Sequence, residues 1–105
     1  MIIRGGENIS PKEIEEYMMT MENIADVQVF GIPDEKFGEE ICMYLKLKDQ
    51  KKEFKTNQVI EFCKGKIAHY KIPRYVRVVE NFPLTVTGKP QKYVMREEMN
   101  LLLKD

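Results

Sequence analysis

Three segments of this chain combine residue types that could do chemistry on an anionic ligand. The first is Gly5-Gly6-Glu7-Asn8. Adjacent glycines let another backbone or a ligand come close, because neither carries a Cβ. The same residues also describe a plain tight turn ahead of a helix. The second is CKGKIAHYKIPRYVRV, residues 63–78, where Lys64, Lys66, Lys71, Arg74 and Arg77 are interleaved with His69, Tyr70 and Tyr75. Cationic heads can take phosphates and an aromatic face can take a base. A solvated helix face running into an edge strand has the same composition. The third is PLTVTGKPQK, residues 83–92. Thr85 and Thr87 supply hydroxyls, Gly88 a flexible joint, and Lys89 stands at the end of the loop. A lysine on a mobile loop can deliver a point charge to an oxyanion or phosphate and then withdraw. Pro90 biases Lys89 towards an extended backbone. An exposed turn lysine is the plainer reading. The glycine-rich phosphate loop that ends in Gly-Lys-Ser/Thr is absent.

Elements must position these segments. Ile2-Ile3, Gly5-Gly6 and Ile9 read as a short hairpin. Ser10 is placed to cap a helix, Pro11 suits its first position, and Glu13 would complete a capping box. Ile14, Tyr17, Met18 and Met21 then fall on one helical face. Val27 to Ile32 alternates as a strand that Pro33 and Asp34 should end. Ile41 to Lys48 alternates as a second strand, with Cys42, Tyr44 and Lys46 on a polar-leaning face. The turn-rich PDEKFGEE between them predicts an antiparallel pair. Residues 48–55 are a charged loop, and Thr56 or Asn57 begins a helix with Ile60, Cys63 and Ile67 inward. Tyr75 to Val79 is a short strand, and Gln91 to Leu103 a terminal helix with Met95, Met99 and Leu102 inward. The class is α+β: a small mixed or antiparallel sheet of about three strands plus an N-terminal hairpin, flanked by three helices.

The 105 residues allow one domain. A formal net charge of zero hides a polarity. Residues 1–50 carry 5 basic and 11 acidic side chains, residues 51–105 carry 12 and 6. The balance argues against a bulk nucleic-acid binder. The acidic surfaces, among them Glu13, Glu15, Glu16, Asp34, Glu35, Glu39 and Glu40, are expected mostly to face solvent. No apolar run approaches the length of a membrane span. MIIRGGEN lacks an apolar signal core, and Cys42 and Cys63 read as reduced buried thiols, so a cytoplasmic location is expected. With His69 the sole histidine, no metal site is expected.

Taken together and in order, MIIRGGENISPKEIEE, VQVFGIPDEKFGEEICMYLKLKD, FCKGKIAHYKIPRYV and FPLTVTGKPQK resemble the C-terminal domain of the adenylate-forming superfamily. They resemble most closely its acyl-CoA synthetases, the fatty-acyl-CoA ligases. The resemblance spans nearly the whole chain and implies a two-step reaction. A carboxylic acid attacks the α-phosphate of ATP with Mg²⁺, giving an acyl-adenylate and pyrophosphate. The C-terminal domain then rotates, and the thiol of coenzyme A displaces AMP to give a thioester.

The resemblance further implies that Lys89 is the catalytic lysine of the first step, with Thr87 and Gly88 beside it at the nucleotide. Gly5, Gly6, Glu7 and Asn8 would line the pantetheine tunnel in the second step. Tyr70 and Lys71 would lie near the nucleotide of coenzyme A, while Ile72 stands where some relatives have arginine. Pro90 replaces the usual aliphatic residue after the lysine and would stiffen that loop. The large N-terminal domain, with its phosphate loop, acyl pocket and most Mg²⁺ and ATP contacts, is missing, as is the hinge. Residues 1–105 are therefore expected to be a single lid domain, inactive alone, whose partners are that N-terminal domain, a carboxylic (fatty) acid, ATP and coenzyme A. A free-standing coenzyme A or nucleotide-binding or regulatory module is the alternative.

Overall fold

A computed structural model describes residues 1–104. The elements run β1 (Ile2–Arg4), β2 (Glu7–Ile9), α1 (Pro11–Met18), β3 (Ile24–Asp34), β4 (Gly38–Leu47), α2 (Asn57–Cys63), a single 3₁₀ turn (His69–Lys71), β5 (Tyr75–Val78) and α3 (Lys92–Leu102). β1 and β2 form an antiparallel hairpin; β3, β4 and β5 form a second sheet in that order. β3 pairs antiparallel with β4, and β5 joins β4 in parallel. The α+β expectation with three helices and a mixed sheet is met.

The local chemistry explains the start of α1. Ser10 adopts an extended backbone and its hydroxyl accepts from the Glu13 N–H, with Pro11 at the first helical position. The reciprocal half of the capping box is not made, because the Glu13 carboxylate is taken by Lys71. Ile14 and Met18 are buried, and Tyr17 and Met21 pack partly buried beside them.

The three-stranded sheet is covered on both faces. On one lie α1, α2 and the β1–β2 hairpin, over Val27, Val29, Ile41, Met43 and Leu45. On the other lies α3, whose Met95 and Met99 pack on Phe30, Ile32, Cys42 and Tyr44. The polar-leaning face expected of the second strand is thus corrected: Cys42 and Tyr44 are fully buried. Tyr44 is tolerated there because its hydroxyl donates to Glu98 Oε1 at 2.9 Å and accepts from Arg77 at 2.8 Å. Burial, opposed by Arg77, pushes this phenol up to about 12. Leu102, expected inward, is exposed at the end of α3.

β3 runs on through Pro33 and Asp34 rather than ending before them. It lies at the edge of the sheet, where a proline removes no ladder bond. That edge is blocked by side chains: Glu15 Oε2 accepts from the Val29 N–H, and Arg96 donates to the Gly31 carbonyl, both at 2.8 Å. Lys92 pairs with the same Glu15 oxygen at 2.9 Å, tying α3 to α1 across the strand. α2 begins after Thr56, whose side chain makes no capping bond. Cys42 and Cys63 are free and buried, as expected.

Candidate functional site

The glycine pair forms the turn between β1 and β2, with φ of +56° at Gly5 and +85° at Gly6. Both lie in the left-handed region that favours glycine. The two glycines differ in their surroundings. A Cβ on Gly5 would sit 3.3 Å from Phe37 Cδ1, whereas one on Gly6 would meet nothing within 4 Å. Both glycines are exposed; a side chain at Gly5 would crowd Phe37, whereas one at Gly6 would enter open space. Glu7 and Asn8 are exposed.

The turn is docked on the far end of the β3–β4 hairpin. Gly5 N–H donates to the Phe37 carbonyl at 2.9 Å. Ile3 N–H donates to Glu39 Oε1 at 2.8 Å, and Arg4 Nε to Glu40 Oε1 at 2.7 Å. The Arg4 guanidinium also lies 3.9 Å above the Phe37 ring. Glu40 is 1% exposed, an exception to the expectation that these acidic residues mostly face solvent.

Tyr70 and Lys71 sit in the 3₁₀ turn on the same side of the molecule. Lys71 Nζ donates to both Glu13 oxygens, at 2.9 and 3.2 Å. That bond raises the Lys71 pKa, with burial opposing it and Glu7 and Tyr70 adding to the field. The structure thus brings Gly5–Asn8 and Lys71 within electrostatic reach, but the lysine charge is already matched by a carboxylate. Tyr70 is half-buried against the core.

Lys89 lies elsewhere. Its loop, residues 82–91, is held chiefly by its own bonds. Thr85 N–H donates to the Lys89 carbonyl at 2.8 Å, and Lys89 N–H donates to Thr85 Oγ1 at 3.1 Å. Thr85 and Thr87 hydroxyls share a hydrogen bond at 2.8 Å, and Leu84 bridges to Pro90. Gly88 takes a φ of +86°. Phe82 anchors the loop in the core, and Lys89 is exposed. Among the described residues no ion pair involves Lys89. A cavity of about 380 Å³ between the loop and the sheet is lined by Asp26, Lys46, Phe82, Leu84, Gly88 and Pro90, among others. The Lys89 loop therefore flanks the beginning of β3, while the Gly5–Gly6 turn flanks its end. At a strand rise of ~3.3 Å per residue, the eight steps from Asp26, beside the loop, to Asp34 span about 26 Å of β3.

Sequence reasoning did not find Arg4, Gly31, Phe37, Glu39 and Glu40 as neighbours of the turn. Arg4 and Glu40 are 36 positions apart, and no local spacing marks such a pair. Among the described residues no group of three or more His, Cys, Asp or Glu could hold a metal ion, and no helix is long and apolar enough to cross a membrane.

Residues 13–89 match the family described as AMP-binding enzyme C-terminal domain. The chain is 50% identical over 99 residues to the medium-chain acyl-CoA ligase ACSF2, mitochondrial, of Homo sapiens, covering 94% of this chain and 16% of that protein. It is 52% identical over 98 residues to the putative acyl-CoA synthetase YngI of Bacillus subtilis, covering 93% and 18%. The fold matches a Mycobacterium tuberculosis fatty acyl CoA synthetase with a TM-score of 0.86 at 39% identity, over 97% of this chain and 20% of that one. It matches apo MatB from Rhodopseudomonas palustris with a TM-score of 0.91 at 33% identity, over 98% and 20%. The chain spans about a sixth to a fifth of the length of these relatives. It belongs to the AMP-binding enzyme C-terminal domain family, in the form carried by acyl-CoA synthetases.

Proposed function

We propose that this chain is the mobile C-terminal domain of an ATP-dependent acyl-CoA ligase, completing one active site from two opposite ends in turn. The observation that carries the reading is the separation of its two candidate sites along β3. One end offers Lys89 on an exposed loop; the other offers a glycine turn whose Gly6 faces open space. A rigid domain whose two sites flank opposite ends of β3 cannot present both to one reacting carbon at once, so it must turn between steps.

In the first step the carboxylate oxygen attacks the α-phosphorus and pyrophosphate leaves. Negative charge grows on the α-phosphoryl oxygens, and the Lys89 ammonium neutralises it. Thr85 fixes the Lys89 backbone so that the charge arrives in one place. In the second step the thiol sulfur bonds to the acyl carbon and the bond to the AMP oxygen breaks. The Gly5–Asn8 turn then borders the pantetheine arm, and Gly6 leaves it room. Lys71 with Tyr70 faces the nucleotide end of coenzyme A, with Glu13 holding the lysine in place until a phosphate competes for it. Mg²⁺ would be held mainly by the other domain.

The acid, expected to be fatty, is selected outside this domain. A cytoplasmic location is part of the proposal, and fractionation of cells tests it.

In the full-length enzyme Lys89→Ala should lower ATP–pyrophosphate exchange by about 10²–10³-fold, the usual effect of removing one such stabiliser. Thioester formation from preformed adenylate should change by no more than a few-fold. Equal loss in both half-reactions would contradict the assignment.

A further inference from the structure

A two-stranded hairpin of three residues per strand has little stability of its own. The position of the Gly5–Gly6 turn is therefore set by what it docks on. Three side chains do this from the end of the β3–β4 hairpin. Phe37 packs against Gly5 and under the Arg4 guanidinium. Glu39 reaches across to the Ile3 N–H. Glu40, buried, takes Arg4 and its neighbour Ile41 N–H on one oxygen, and its Oε2 has no partner among the described residues.

Gly31 makes the slot for Glu39. A Cβ at position 31 would lie 2.3 Å from Glu39 Oε2 and 3.2 Å from Ile2 Cγ2. Its φ is not in the left-handed region, so the absence of a side chain there serves space and not backbone conformation. An ion pair whose carboxylate is buried with one oxygen unmatched, and whose arginine is partly buried, is a poor device for stability alone. It is a good device for fixing geometry, since Arg4 immediately precedes the turn and cannot shift without abandoning both Glu40 and the Phe37 ring.

We infer that Arg4, Glu39 and Glu40 are positioning residues of the thioester-forming step, a bracket that holds the Gly5–Gly6 turn at the height the thiol arm requires. This rests on the reading of that turn given above. The bracket acts at one end of the domain only; the Lys89 loop shares none of its members.

The test uses the full-length enzyme and both half-reactions. Arg4→Met keeps the packing stem and removes the cation. It should slow thioester formation from preformed adenylate at least tenfold, with ATP–pyrophosphate exchange within twofold. Arg4→Lys should recover part of the loss, because it restores a cation beside Glu40 and Phe37. Gly31→Ala, which displaces Glu39 without touching Arg4, should reproduce the same selective loss. Exchange of the Ile3 and Gly5 amide hydrogens should quicken in Arg4→Met while the amides of Val27–Leu45 keep their protection. A parallel fall in both half-reactions, or no fall in either, would overturn the bracket. Gly6→Ala separates the two layers of the argument. If it slows thioester formation while Arg4→Met does not, the bracket alone fails. If it slows neither half-reaction, the assignment of the turn fails and the bracket with it.

Discussion

The two ends of the β3–β4 hairpin are built differently. At the Gly5–Gly6 end a short turn is fastened to the sheet by a backbone hydrogen bond, a part-buried ion pair and an aromatic ring under an arginine. At the Lys89 end a loop closes on itself through Thr85, with Val86 fully exposed and only Phe82 reaching into the core. A turn that borders a passage needs a fixed wall. A charge that must reach a reacting phosphorus and leave again needs a preformed loop with few ties to its own sheet. The difference also places the shape of one end in tertiary contacts and that of the other in local hydrogen bonds.

The comparison can be broken most severely by testing the chain alone. Without its partner domain it should catalyse no ATP–pyrophosphate exchange, because on this proposal the acid and most of ATP are left to that domain. Exchange above background from the pure chain would end the two-domain account. Next in size is Thr85→Val, which removes the hydroxyl that holds the Lys89 N–H. The loss of about 1 kcal/mol for such a bond should lower exchange roughly tenfold and leave thioester formation nearly untouched. A fall in both half-reactions would show that the loop also serves the other end.

Smaller effects are expected at Lys71. Its substitution by alanine should raise the KM for coenzyme A a few-fold, and less so in high salt, with kcat nearly unchanged. An unchanged KM would leave Lys71 as a brace for Glu13 only. The smallest effect lies between the two ends. Burial pushes the Cys63 thiol up to about 11 and, with some relief from the Met43 backbone and Arg77, the Cys42 thiol up to about 12, from an ordinary value of 9.0. Well below pH 9 both thiols are protonated folded and unfolded, and they impose no pH dependence. Above it the unfolded thiols ionise first, so stability should decline as pH rises from about 9 towards 11 and 12. Denaturant titrations at pH 8 and 10 measure this, and a Cys63→Ala, Cys42→Ala chain should lose part of the slope. Alkylation of the native thiols at pH 8 should be slow and become fast on unfolding.

Much of the local structure was legible because its causes are local. Ser10, Pro11 and the Ile14–Met21 spacing define α1 within a dozen residues. The alternation from Val27 and from Ile41 marks the two long strands. What was not legible depends on distant partners. Cys42 and Tyr44 read as an outward face until α3, some fifty residues on, covers them. Glu40 reads as a surface acid until Arg4 arrives across the hairpin. Pro33 reads as a strand end because its place on an unpaired edge is a property of the sheet. The candidate site shows the same division. Lys89 and the glycine pair stand out by residue type, whereas the residues that hold the turn in place carry no signal near it.

The central claim is that the two ends serve different steps. The most direct measurement sets Lys89→Ala and Gly6→Ala against both half-reactions of the full-length enzyme. The account predicts a crossed pattern: Lys89→Ala loses adenylate formation and keeps thioester formation, and Gly6→Ala does the reverse. Two variants that fail in the same half-reaction would contradict it.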